Sequence, residues 1–364
     1  MELADLLDDV RELVECESPS ADLAAVARSA DLVARIGERR LGVAPERIVL
    51  DGRTHLRWRL GSGPSRVLVL GHHDTVWPLG SLATHPCTLE AGVLRGPGCF
   101  DMLAGLVMAF HALAGLDGVT LLVTGDEELG SPSSRELIEQ EARSADVALV
   151  LEGAAPHGAL KSERKGVSLY DVAVLGRAAH AGLEPERGVN ATLELAHQAL
   201  AVAGLGDPTA GTTVTPTAAR AGVTTNTVPA DGSFAVDVRV RTLAEQDRVD
   251  AAMRALSPVL VEAGVVVTGG PNRPPMDQES SDDLLVRIRS IAAALGQPEP
   301  TAVAVGGASD GNFTAGVGTP TLDGLGAIGG GAHADDEHVL VDELADRTLL
   351  VRSLVTDLLA VVDA

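Results

Sequence analysis

Three runs in this chain, RVLVLG (66–71), GVTLLVTG (118–125) and DVALVLEG (146–153), are apolar almost without interruption. A strand with one wet face alternates apolar and polar residues, so a run that is apolar throughout must have both of its faces covered. Between the first two lies DMLAGLVMAFHALAGL (101–116), which reads as a buried helix opened by an acid, and SSRELIEQEARS before the third is also helical. Two amphipathic helical patterns, at 2–15 and 21–36, precede them all. Buried strands separated by helices call for an α/β fold, a mixed, mostly parallel sheet with helices on both faces.

From about residue 164 the period changes. GVSLYDVAVLG, NATLELAHQALAVAGL, TTVTPTAARAG, SFAVDVRVR, AEQDRVDAAMRALSPVLVEAG and VVVTGG read as strand, helix, strand, strand, helix, strand. That is the order of a split β-α-β unit, self-contained at about a hundred residues. After the proline-rich GGPNRPPM the helix and strand pattern resumes with SSDDLLVRIRSIAAALG and TPTLDGLGAIGGG, and a closing helix is expected from about 341 to 362. A chain of 364 residues is too long for one ordinary core. The expected organisation is a catalytic domain built from 1–163 and 276–364, interrupted by an α+β ferredoxin-like domain at 164–275.

Charge and cysteine usage narrow the partners. Lysine and arginine number 28 against 51 acids, a net charge of −23, which would repel nucleic acid and anionic membranes alike. Cys16, Cys87 and Cys99 are odd in number and widely spaced, so a disulfide framework is not expected and a reducing cytoplasm suits the chain. The start, MELADLLDDVRELVE, carries acids where a signal peptide carries bases, and no apolar run is long enough to cross a bilayer. A cytoplasmic protein acting on a small molecule is the expectation.

The chemistry collects where the strands stop. His72, His73 and Asp74 follow the first run, Asp126, Glu127 and Glu128 the second, and Glu152 the third. Carboxyl ends of parallel strands line one crevice, so these residues converge there. Asp101, in RGPGCFDMLAG, opens a helix at the same edge, and His333 sits in the glycine-rich GGGAHADDEH. So many acids in one hollow would repel and titrate abnormally unless a cation joined them, and ions such as Zn²⁺ accept imidazole and carboxylate together.

These residues carry a resemblance. GHHDTV, GPGCFDMLAG, TGDEELGS and LVLEG, followed by GRAAHAG, TTNTVPADGSFAVDVR and GGGAHADDEHV, resemble in order the signatures of the M20 metallopeptidases, the co-catalytic zinc aminoacylases, dipeptidases and carboxypeptidases. The likeness is strongest to the glutamate carboxypeptidase branch and covers nearly the whole chain. It implies two Zn²⁺ ions, with Co²⁺ or Mn²⁺ as possible substitutes, and a zinc-peptidase-like catalytic domain. His72, Asp101 and Glu152 would hold one metal and Asp101, Glu128 and His333 the other, Asp101 bridging. Metals about 3.5–4 Å apart need such a shared ligand to offset their repulsion. Glu127 would be the general base, and Asp74 would hold the His72 imidazole in its metal-binding tautomer. The G-H-x-D spacing favours His72 over His73 as the ligand and leaves His73 a partly exposed neighbour.

The resemblance also implies a lid and dimerisation role for the inserted domain. His180 would reach across a homodimer interface toward the tetrahedral oxyanion, with Asn226 nearby, and Arg239 would grip a substrate carboxylate. The plainer reading of His180 is a structural residue, and that of Arg239, on a strand with Asp237 and Arg241, is an exposed cross-strand ion pair. Cys99 reads as a small buried hydrophobe rather than a ligand. The segment GGASDGNF (306–313) is expected to line a substrate pocket. One departure stands out: Leu103 occupies the place where the family commonly has lysine.

The reading that follows is a dinuclear zinc hydrolase cleaving a small peptide or N-acyl amino acid amide next to a free carboxylate. Two alternatives are the same chemistry on a specialised biosynthetic amide, and a non-catalytic dimeric binding scaffold.

Overall fold

The computed structural model describes residues 2–360. The chain divides into two compact units, one formed by 1–163, 277–305 and 309–364, the other by 164–276 together with 306–308. The second unit therefore begins where the sequence pattern changes, and it also takes in three residues from the 306–313 segment.

The first unit is built on a six-stranded sheet. Its strands lie in the order Glu46–Leu50, Arg53–Leu60, Val119–Thr124, Val67–His72, Val147–Val150 and Thr321–Leu322. The last four are parallel to one another, and the first two are antiparallel additions on one edge. Strands 67–72 and 119–124 are buried at every position, as uninterrupted apolar runs require. Sequence pattern alone did not reveal the two edge strands, because Arg53, Arg57 and Arg59 dilute their apolar character. The arginines alternate with the buried Leu56, Trp58 and Leu60, a period of two that was available to be read.

Helices Leu3–Val14, Leu23–Leu41, Ala104–Leu113 and Val341–Ala360 pack into one large apolar core with the sheet. Helix 23–41 starts on Asp22, whose carboxylate accepts the amides of Ala24 and Ala25, and stops at Gly42 in the left-handed conformation. Trp58 and Phe110 meet edge to face at 5.4 Å between ring centroids in this core. Of the closing helix expected to reach 362, residues 361 and 362 lie outside the described residues.

Helix 104–113 is shorter than the 101–116 read from sequence. Cys99–Leu103 instead form a tight irregular turn in which Asp101 and Met102 leave helical geometry across a cis peptide bond. Asp101 thus precedes the helix rather than opening it. Immediately beyond, Gly105 brings the helix against the end of strand 147–150: a β-carbon on Gly105 would come within 2.0 Å of the Leu151 carbonyl oxygen. Gly105→Ala is accordingly expected to destabilise the protein by about 1–3 kcal/mol despite alanine's better helix propensity. Urea denaturation measures it, and an unchanged midpoint would refute the contact.

The second unit carries a four-stranded antiparallel sheet in the order Thr213–Ala221, Asp231–Val240, Gly166–Leu175, Gly264–Arg273. Helices Ala191–Ala203 and Leu243–Arg254 pack with it around Tyr170, Val172, Phe234, Val236, Val238, Val249 and Met253. The second helix ends at Arg254, well before the end of the segment 244–264 read as helical, since Pro258 cannot continue it. Conversely, strand 264–273 runs past the VVVTGG read from sequence and into the proline-rich stretch.

Candidate metal centre

Strand 67–72 delivers His72, the turn before helix 104–113 delivers Asp101, and the single 3₁₀ turn Glu127–Leu129 after strand 119–124 presents Glu127 and Glu128. Glu152 follows strand 147–150, and His333 sits in a loop with φ of +62°, an unusual conformation for a residue with a β-carbon. All belong to the first unit, and the side chains converge.

The distances divide the ligands in two. His72 Nε2 lies 3.3 Å from Asp101 Oδ1 and 3.6 Å from Glu152 Oε1. His333 Nε2 lies 3.3 Å from Asp101 Oδ2 and 3.2 Å from Glu128 Oε2. Each oxygen of Asp101 thus faces a different histidine. Donor atoms of His72, Asp101 and Glu128 can meet on one ion, as can those of His72, Glu127 and Glu152, all within 4.8 Å of one another. This places Glu127 at coordinating reach, a proximity the sequence did not reveal.

Two buried atoms in this group have no hydrogen-bond partner: His72 Nε2 and Glu128 Oε1. A buried polar atom left unmade costs about 1–3 kcal/mol, so two at one point of convergence call for a ligand. Imidazole nitrogen and carboxylate oxygen are the donors a divalent ion such as Zn²⁺ accepts, and the residues fit such a group.

The charges respond to this crowding. Burial opposes ionisation of Asp101, yet the imidazoles of His333 and His72 beside it hold its carboxyl far below the usual carboxylate range. Burial pushes Glu128 up. Burial alone would lower His72, but the carboxylates of Asp101, Asp74 and Glu152 gathered around its ring raise it well above its ordinary value. The hydrogen bonds of His333 to Asp101 and Glu128 raise it from 6.5 to about 10. Metal must therefore displace the proton of His333 at neutral pH, and loading the metal-free protein at pH 7 should release protons, with affinity rising toward alkaline pH. Calorimetry in buffers of different ionisation enthalpy measures the release; none at pH 7 would refute the assignment. In the metal-free protein the His333 contribution to stability has the opposite trend, being complete below 6.5 and lost as pH rises through about 10.

Asp74 does meet the His72 ring, but through its main chain. The His72 ring is held through Nδ1 by the backbone carbonyl of Asp74 at 2.9 Å, while the Asp74 carboxylate stands 3.6 Å off. That carboxylate instead accepts the backbone amides of Glu127 at 3.2 Å and Glu128 at 3.3 Å. One residue thereby orients a histidine by its carbonyl and the adjacent glutamates by its side chain. His73 is a further correction. It is fully buried, its Nδ1 at 3.1 Å from Ser29 Oγ and its Nε2 at 3.0 Å from the Thr54 carbonyl, and burial holds it neutral.

Several supports of the glutamate turn were not foreseen. Asp126 accepts the amide and hydroxyl of Ser133 at 2.8 and 2.6 Å. Asp310 accepts the hydroxyls of Thr124, at 3.1 Å, and Ser131. Ser309 donates to Asp323 at 2.6 Å. Ser309 and Asp310 are buried, so in the 306–313 segment expected to line a pocket these two brace the core instead. Leu103 is buried with the apolar core, where a leucine is the residue the surroundings require. Buried Cys99 points its thiol toward the Leu94 carbonyl at 3.9 Å, and burial pushes it up, so it stays a neutral thiol.

In the second unit, His180 and Asn226 are neighbours. A two-residue ladder pairs Ala179–His180 with Thr227–Val228, and the Asn226 carbonyl accepts the Ala181 amide at 2.9 Å. Both residues are exposed, and His180 Nδ1 accepts the Gly182 amide at 3.1 Å. Arg239 makes two parallel bonds of 2.8 Å with Asp237, two places back on the same strand face. It thus pairs along its own strand rather than across to a neighbouring one.

The sequence model of peptidase family M20/M25/M40 matches residues 68–357, a span that includes every residue of the metal centre. The chain belongs to this family. The M20 protein is 32% identical over 297 residues to carboxypeptidase G2 of Pseudomonas sp. (strain RS-16), covering 76% of this chain and 70% of that one. Among solved structures, the M20 family metallo-carboxypeptidase Sso-CP2 of Sulfolobus solfataricus superposes with a TM-score of 0.78 at 17% identity, covering 96% of this chain and 98% of its own. The Bacillus subtilis YXEP protein, a dinuclear metal binding peptidase of the same family, gives 0.63 at 14% identity and 98% of both chains. This M20 protein is thus an enzyme of a metal-dependent peptidase family with the family's fold.

Proposed function

We propose that this M20 peptidase is a dinuclear zinc hydrolase that cleaves a small peptide or N-acyl amino acid at an amide next to a free carboxylate. The observation that carries it is the convergence of His72, Asp101, Glu128, Glu152 and His333, with His72 Nε2 and Glu128 Oε1 buried and without hydrogen-bond partners. When bound, divalent metal supplies Lewis acidity that polarises the amide and eases deprotonation of water. Co²⁺ or Mn²⁺ would suit the same ligands.

The chain's own residues do the rest. Asp101 spans the two histidines, one oxygen to each, and so is placed to serve both ligand sets. Glu127, its backbone pinned by Asp74, takes the proton of the attacking water and returns it to the departing amine. In this reading His180 reaches across the dimer interface toward the developing oxyanion, with Asn226 nearby to bind substrate. Arg239 trades one of its bonds to Asp237 for the substrate carboxylate, a planar guanidinium suiting that partner.

A homodimer through the unit 164–276 belongs to the same proposal. Strand 213–221 pairs on one side only among the described residues, and helix 191–203 exposes Leu193 and Leu200. Sedimentation of the purified protein measures its mass, and a monomer would refute the dimer. A cytoplasmic location accords with three free cysteines and with no described helix long and apolar enough to cross a membrane.

The test is metal analysis of purified protein together with a hydrolysis screen of N-acyl amino acids, dipeptides and their C-terminal amides. The proposal expects two metal equivalents and turnover that depends on the free carboxylate. Metal without turnover would favour a binding scaffold. Equal turnover of acids and C-terminal amides would remove the carboxylate from the reading and Arg239 from its role.

A further inference from the structure

Glu337, on the segment that also carries His333, has no place in the scheme above, yet its carboxylate is among the most heavily engaged in the protein. It is 3% exposed. Oε1 accepts the backbone amides of Phe100 at 2.9 Å and Asp101 at 3.0 Å. Oε2 accepts the Gly98 amide at 3.0 Å and the Trp77 indole N–H at 2.7 Å. Each oxygen therefore takes two donors, and all four come from segments that carry other parts of the centre.

Three of the donors belong to the turn that presents Asp101, a turn outside regular helical geometry whose amides have no ladder to join. The fourth, Trp77, lies on the segment leaving strand 67–72 beyond His72 and Asp74. We propose that Glu337 is a positioning residue of the metal centre, its single carboxylate fixing the backbone that presents Asp101 and tying it to the segments of His72 and His333. Four N–H donors converging on two oxygens need an ionised acceptor; a neutral amide of the same shape cannot replace it. Whichever way a glutamine at 337 turned, its NH₂ would face two N–H donors, and the Asp101 turn would have to shift.

The inference rests on the dinuclear reading, and the experiment separates the two. Full-length wild type, Glu337→Gln and Trp77→Phe are stripped of metal and titrated with Co²⁺, following visible absorption and affinity by competition with a chelator. Then kcat and KM are measured on a substrate that the wild type hydrolyses. For Glu337→Gln the expected result is Co²⁺ affinity lower by about 10–100-fold and an altered absorption band. kcat should fall with KM within about threefold, since the substrate contacts are untouched. The melting temperature of the metal-free variant should stay near that of metal-free wild type. Trp77→Phe removes one of four donors and should weaken Co²⁺ binding in the same direction by less than about tenfold.

Wild-type affinity and spectrum in Glu337→Gln would overturn the inference, as would a lowered metal-free melting temperature with unchanged Co²⁺ affinity, which would make Glu337 a general brace. Should Glu337→Gln not fold, Trp77→Phe decides, and wild-type affinity there overturns it. A wild type that takes up no Co²⁺ overturns the dinuclear reading itself, and that is seen before any substitution is compared.

Discussion

Glu127→Gln is expected to lower kcat by about 10²–10⁴-fold. Glutamine keeps the length and shape of the side chain, and the backbone amide at 127 still donates to Asp74, which it meets at 3.2 Å. What is lost is the ability to hold a proton. Metal content therefore discriminates between two roles, because Glu127 also lies within ligand reach of His72 and Glu152. Loss of turnover with both metal equivalents retained assigns it as the base. If metal is lost in parallel, Glu127 is a ligand and the base lies elsewhere. Turnover within about threefold of wild type would remove it from the chemistry.

The second large effect belongs to Asp101→Ala. Asp101 gives one oxygen to each histidine at 3.3 Å, so its removal deprives both ligand sets at once. The expected outcome is fewer than two metal equivalents in the purified variant and a kcat/KM lower by at least about 10³-fold, a loss of roughly 4 kcal/mol in transition-state stabilisation. Stability should follow the metal. Saturating metal at a thousand times its dissociation constant stabilises the folded state by about 4 kcal/mol, so a chelator should lower the wild-type melting temperature and leave Asp101→Ala almost unmoved. Retention of two tightly bound ions by the variant would refute the shared-ligand role.

Both expectations grow from residues that sequence alone could single out, and the reason is physical. His72, Glu128 and Glu152 each follow an apolar run where it gives way to polar residues, and parallel strands place those breaks along one edge. The strand runs at 66–71, 118–125 and 146–153 are therefore adjacent in the sheet, and family signatures supplied which side chain at each end matters. Legibility failed where backbone atoms act. That the Asp74 carbonyl, rather than its carboxylate, meets His72 has no side-chain code. The same holds for the Glu337 carboxylate, which binds main-chain amides of glycine, phenylalanine and aspartate alike. His73 looked exposed because its two partners, the Ser29 hydroxyl and the Thr54 carbonyl, come from elements distant in sequence. Helix ends misled for a related reason, since Asp101 leaves the helical ladder that its apolar neighbours enter.

The place where the second unit joins the chain has its own consequence. Arg164 and Met276 pair reciprocally through their backbones, at 2.9 and 3.0 Å, so the first and last residues of the segment 164–276 are neighbours. A segment that enters and leaves by one door adds almost nothing to the loop its host must close. The five proposed metal ligands and Glu127 lie outside it, while His180, Asn226 and Arg239 lie within. Over evolutionary time such a segment can be lengthened, shortened or reshaped without reopening the fold that brings His72, Asp101, Glu128, Glu152 and His333 together.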